Sequence, residues 1–153
     1  MTSTTTSPAV TEPVRRRTLA PVCAALALAC SGPPAVDLVE IRDARIEIEI
    51  ADDQDAQALG LGERETLPWN RGMLLVYEEP TRVAIWMKGM RFDIDIVWIR
   101  DGRIIDMTWR APHATPEPLP VYYPREAADR VLELPAGYAE AHGFRIGDRV
   151  RFE

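Results

Sequence analysis

Asp93 and Asp95 stand two apart in the apolar run Phe92–Ile99. Residues two apart in a strand share a face at about 6–7 Å. Paired carboxylates at such a distance can do general acid–base or glycosidic chemistry. Acids within an apolar strand cost free energy unless they are paired or hydrogen-bonded, and Lys88 and Arg91 are the nearest cations along the chain. Ahead of any binding or catalytic role, Asp95 is expected to order the bend at Gly89, accepting bonds from Lys88 or from backbone N–H groups.

His113 and His142 are the only histidines. Neither has a second histidine at metal-ligand spacing, so neither a zinc site nor a Ser-His-Asp set is expected. Met87 and Met90, with Met73 and Met107, are the residue type for soft copper coordination. Methionine in an apolar strand is ordinarily core, so no metal and no cofactor is expected. Arg64 and Arg71 flank the loop before Gly72, where a salt bridge to an acid is favoured over ligand binding. Trp69, Trp86, Trp98 and Trp109, with Tyr122 and Tyr123, lie near a proline-rich stretch. Such aromatics either pack a core or wall a groove for a sugar or peptide. The candidate binding residues are therefore Trp86, Lys88, Asp95, Arg64 and His113, and no residue is assigned a catalytic role.

The elements that must position these residues are mostly strands. Val36–Ile41 alternates, and Arg45–Ile50 reads R-I-E-I-E-I, with Ile46, Ile48 and Ile50 inward and Glu47 and Glu49 in water. Asp52 or Asp53 can cap a helix over Gln54–Leu61, which Gly60 and Gly62 weaken and end. Met73–Tyr77 is a short strand, followed by a turn at Glu78–Thr81. Val83–Met87 and Phe92–Ile99 form the central strands, separated by Gly89. Asp101-Gly102 between apolar runs is a strong hairpin signal into Ile104–Trp109. Five prolines make Ala111–Pro124 an extended surface loop. Val131–Leu134 is a strand, Tyr138–His142 a short helix closed by Gly143, and Gly147-Asp148 a tight turn in the last stretch. The fold class is mostly β (α+β), a small closed barrel or tight sandwich of antiparallel strands with one or two short helices.

The first part of the 153-residue chain reads differently. Arg15–Arg17 is a positive block, and Leu19–Ala29 is almost wholly apolar but shorter than the roughly 20 residues that span a bilayer. Ala27-Leu28-Ala29 fits a small-x-small cleavage pattern, so residues 1–30 read as an export signal. Cys30 at the cut resembles the lipidated cysteine of a bacterial lipoprotein, although Ala27 stands where leucine is usual. Plain secretion and an uncleaved anchor are the alternatives. Residues 31–36 form a Gly/Pro linker, and residues 37–153 a single domain. No cysteine follows Cys30, so the domain is held by its core alone. Without the leader, 15 basic and 23 acidic residues leave a net charge of −8. Such a domain suits neither nucleic acid nor an anionic membrane face.

The run Gly60-Leu61, Arg64, Leu67-Pro68, Gly72-Met73-Leu74, Trp86-Met87-Lys88, Asp95, Asp101-Gly102, Val131-Leu132-Glu133-Leu134, Ala136-Gly137, Gly143 and Gly147-Asp148 resembles domain-of-unknown-function family 192. The resemblance runs from about Arg45 to Phe152. It implies one compact, mostly β domain and carries no known activity, cofactor or catalytic residue. Where the family usually has Met, this chain has Gly62. Gly89-Met90 replaces its Asn-Thr, and Asp93-Ile94-Asp95 its Pro-Leu-Asp.

The expectation is an exported, lipid-anchored domain of the cell envelope, acting as a non-catalytic binding or interaction module. Its partner would be a small molecule, glycan or protein of the envelope, with the membrane reached only through the N-terminal lipid and no nucleic acid bound. The alternative is a hydrolase of envelope carbohydrate acting through the Asp pair.

Overall fold

The structure, a computed structural model, describes Met1, residues 37–113 and residues 118–153. The export signal beyond Met1, Cys30 and the linker lie outside the described residues. Nine strands and two short helices occur among those described. They are β1 (Leu38–Ile41), β2 (Ala44–Ala51), α1 (Gln54–Leu59), β3 (Arg71–Thr81), β4 (Ile85–Trp86), β5 (Ile94–Arg100), β6 (Arg103–Ala111), β7 (Val121–Tyr122), β8 (Ala128–Pro135), α2 (Tyr138–Ala141) and β9 (Val150–Phe152).

Seven strands form one sheet in the order β6-β5-β8-β3-β2-β1-β9, and β4 pairs with β7 in a small second sheet. The expected mostly β class holds. The main sheet is a strongly curled half-barrel, and it is mixed, because β2 and β3 run parallel. A parallel neighbour needs a crossover, which α1 and the loop after it supply. The curl brings the two edge strands together at one end. Ile104 donates its N–H to Asp148 O at 3.0 Å, and Val150 donates to Gly102 O at 2.9 Å. β6 and β9 are thus joined at that end without a continuous ladder.

Both faces of the sheet are covered, which explains why β5 is apolar on both sides. On one face Ile46, Leu74, Val97 and Leu132 pack with Tyr138 and Ala139 of α2. On the other, Met73, Leu75, Ile96, Trp98 and Val131 pack beneath Leu61, Val83, Ile85 and Met87. The Asp-Gly hairpin forms as expected between β5 and β6. Asp101 (φ 50°) and Gly102 (φ 66°) both take positive φ, as a two-residue hairpin turn of matching twist requires.

Three local expectations change. Ile50 is 47% exposed while Ala51 is buried, because the alternation of β2 breaks where the chain leaves for α1. Glu78–Thr81 is not a turn but continues β3, with its register on β8 shifting between Val76 and Thr81. The segment at Ile85–Trp86 does not pair with β5. It pairs across the fold with Val121 and Tyr122, from within the stretch expected to be loop, and lies over the second core face.

Candidate functional site

The Asp pair does not exist as a site. β5 starts at Ile94, so strand alternation does not govern Asp93. Asp93 is part-exposed and meets His113, whose backbone N–H reaches Asp93 Oδ1 at 2.9 Å and whose Nδ1 lies 2.6 Å from it. These hydrogen bonds hold the Asp93 carboxyl below its ordinary value. Asp95 is 0% exposed. Its Oδ1 accepts the N–H groups of Arg110 (2.9 Å) and Gly137 (3.0 Å), and its Oδ2 accepts that of Ala139 (2.9 Å). Asp95 accepts backbone N–H groups, but it anchors the start of α2 and not the bend at Gly89 that it was expected to order, and Lys88 takes no part. Arg91 pairs with Glu65 instead of either aspartate.

A cavity of about 300 Å³ lies between α1 and β4. Asp53 caps α1, its Oδ1 accepting the N–H of Ala56 at 2.8 Å, with Asp55 in the first turn. The helix buries no residue completely. Gln57 fastens it to the sheet, donating from Nε2 to Val76 O at 2.7 Å and to Ala51 O at 3.3 Å. Past Gly60 the chain turns beneath β4, and Glu63 N–H donates to Gly89 O at 2.8 Å. That turn is tight enough to need Gly62, where a Cβ would stand 2.8 Å from Leu59 O. A methionine there, as the family resemblance leads one to expect, would require the turn to open.

Glu133 is part of the cavity lining. On β8 it faces the second core cluster, opposite Met73 on β3 and Ile96 on β5, and is 4% exposed. Burial pushes its carboxyl up from 4.5 to about 7, against the opposing pull of the Leu61 N–H and the Arg64 charge. Oε2 has no hydrogen-bond partner among the described residues. Burial, reinforced by the Glu133 charge, likewise pushes the Tyr77 hydroxyl on the same wall up to about 12. Trp86, 48% exposed, forms the outer wall, and Lys88 Nζ lies 5.0 Å from its ring centroid.

Of the candidate binding residues read from sequence, the fold brings Trp86 and Lys88 to this cavity, and Met90, weighed there as a soft metal ligand, also lines it. Arg64 lies outside its lining, forked onto Glu49 with two 2.7 Å bonds, the salt bridge favoured at the outset. The pair lowers the carboxyl of Glu49 and raises Arg64. Asp95 and His113 belong to the two arrangements already described. Sequence reasoning missed Glu133, Gln57 and Tyr77 as site residues. The signal for Glu133 was an acid in the otherwise apolar V-L-E-L. Among the described residues, no three His, Cys, Asp or Glu side chains group closely enough to hold a metal ion, and no helix is long and apolar enough to cross a membrane.

Residues 38–152 match the model of the DUF192 family, described as "Uncharacterized ACR". Two solved structures are similar. One, from Sinorhizobium meliloti and named a "putative transcription regulator", is 29% identical, with 77% of this chain and 94% of that chain covered at a TM-score of 0.70. The other, a Novosphingobium aromaticivorans protein of unknown function, is 24% identical, with 74% and 83% covered at a TM-score of 0.68. No curated protein matches the sequence.

Proposed function

The chain belongs to the DUF192 family, and we propose that it is an exported, lipid-tethered binding module that holds a small ligand in the cleft between α1 and β4. The observation that carries the binding role is the unpartnered Oε2 of buried Glu133, set in the lining of a cavity with an exposed tryptophan at its outer wall. A buried acceptor without a donor costs roughly 1–3 kcal/mol, and a ligand that donates to it recovers part of that cost. Trp86 offers the flat apolar surface such a ligand needs. The export half rests on Arg15–Arg17, the apolar run Leu19–Ala29 and Cys30. The Sinorhizobium meliloti neighbour is named a "putative transcription regulator", and for this chain a net charge of −8 after the leader opposes binding to phosphate backbones.

Two measurements test the reading. The full chain, expressed in a bacterium with a lipoprotein pathway, should partition with membranes and take up labelled fatty acid, and Cys30→Ser should abolish both. A thermal-shift screen of the purified protein against small metabolites, sugars and short peptides should return binders whose effect disappears in Trp86→Ala. A screen whose binders act equally on Trp86→Ala would place binding outside this cleft and defeat the proposal.

A further inference from the structure

We propose that the cleft takes a primary ammonium group, which donates to Oε2 of Glu133 while its carbon chain lies against the Trp86 indole. The proposal rests on the binding-module reading and names the class of ligand.

Lys88 is the one cation in the cleft lining, its ammonium lies over the Trp86 ring, and no donor among the described residues reaches Oε2 of Glu133. Glu133 is walled by Met73 and Ile96 on the neighbouring strands, one carboxyl oxygen takes the Leu61 N–H, and Oε2 has nothing. Gln57 uses its Nε2 on Val76 O and Ala51 O, which leaves its amide oxygen as a further acceptor. Arg64, the guanidinium whose charge reaches Glu133, is held by two bonds to Glu49 and would have to break both to turn inward. What completes such a site is a compact group with several donors and a positive charge, which describes an ammonium.

The outer wall fits the same group. Trp86 already has an ammonium over its ring, that of Lys88, at 5.0 Å. The negative face of an indole attracts cations, and the stem of an alkylamine can lie on it as that of lysine does. Asp55 and Glu63 line the groove that continues past Trp86, where Lys88 is the one cation, so an anionic ligand would pass two carboxylates and end on a third. A volume of about 300 Å³ admits a small amine.

The test is calorimetric titration of the full chain with three probes of one length: cadaverine, pentane-1,5-diol and glutarate, at constant ionic strength. The Leu61 amide is followed in parallel by NMR. Cadaverine should bind at least tenfold more tightly than the diol or glutarate and should shift the Leu61 amide. Glu133→Gln and Trp86→Ala should each weaken it at least tenfold. Should Glu133→Gln fail to fold, Trp86→Ala, altered at an exposed side chain, carries the test. Equal or tighter binding of the diol or glutarate, shifting Leu61, would overturn the ammonium class and leave the binding module standing. Cadaverine affinity unchanged in either folded variant, or no binding of cadaverine at all, overturns the ammonium proposal. The metabolite screen then decides the binding module separately.

Discussion

Asp95 on β5 receives the N–H of Ala139 at 2.9 Å, from 44 residues further along the chain. α2 has only four residues, and its N-cap, Gly137, offers no side-chain oxygen to the orphan N–H groups of the first turn. Asp95 supplies the missing acceptor from a different element, so the helix is capped by the sheet. The same carboxylate holds Arg110, whose φ of 48° is unusual for a residue with a side chain.

Asp95→Ala leaves three N–H groups without their acceptor, each worth roughly 1–3 kcal/mol when buried. The expected loss is at least about 3 kcal/mol, a large part of the roughly 5–15 kcal/mol that holds a domain together. Lys88→Ala removes only an exposed cation–π contact of roughly 0.5–1 kcal/mol. Chemical denaturation of both single variants and the double variant should give additive losses, because the two side chains do not meet. A coupling energy above about 1 kcal/mol would contradict this geometry.

Glu133 imposes a pH dependence of definite sign. Its carboxyl titrates at about 7 in the fold, against an ordinary value of 4.5. Between those values the folded chain keeps the proton and the unfolded chain has lost it, so unfolding releases a proton. The stability this adds is fully present below about pH 4.5 and is lost as the pH rises through 7. The loss amounts to about 3 kcal/mol. Glu133→Gln should flatten the decline between pH 5 and 8 in denaturation curves. An unchanged slope in that variant would show that another group is responsible.

Gly72 lies where β3 passes β8, and a Cβ there would stand 2.8 Å from Glu133 O and 2.9 Å from Leu134 Cδ2. The first neighbour is backbone in a central strand and cannot give way cheaply. Gly72→Ala should destabilise the protein by about 1–3 kcal/mol. Gly147, at the turn before β9, has nothing within 4 Å of such a Cβ but a φ of 93°, so Gly147→Ala should cost less, through strain alone. Melting temperatures of the two variants give the comparison.

Lys88→Ala also bears on ligand binding. The change removes a cation from the cleft and uncovers the Trp86 ring. Cadaverine should therefore bind several-fold more tightly to Lys88→Ala than to the unaltered chain. Weaker binding would mean that Lys88 helps to hold the ligand instead of competing with it.

What the sequence determined by itself was local. Period-two alternation marked Arg45–Ile50 as a strand, because facing a core on alternate residues is a property of a few neighbours along the chain, and a short, nearly continuous apolar run marked Phe92–Ile99, of which the strand takes Ile94 onward. Asp101-Gly102 marked its hairpin through backbone angles that favour those two residues, and Asp52-Asp53 marked the start of α1, with the structure selecting Asp53 as the cap. The tertiary structure alone decided which strands lie side by side. β8 comes between β3 and β5, and β2 runs parallel to β3. These pairings join residues far apart in sequence, and they follow from burying both faces of one curled sheet. The site follows from them as well. In V-L-E-L, Glu133 looks like an acid on a solvated face. It becomes a buried, half-satisfied carboxyl only because Met73 and Ile96 arrive on its two sides and the chain at Leu61 crosses over it. Conversely, the two-residue spacing of Asp93 and Asp95 described a shared face that never forms. One aspartate lies outside the strand, and three backbone N–H groups enclose the other.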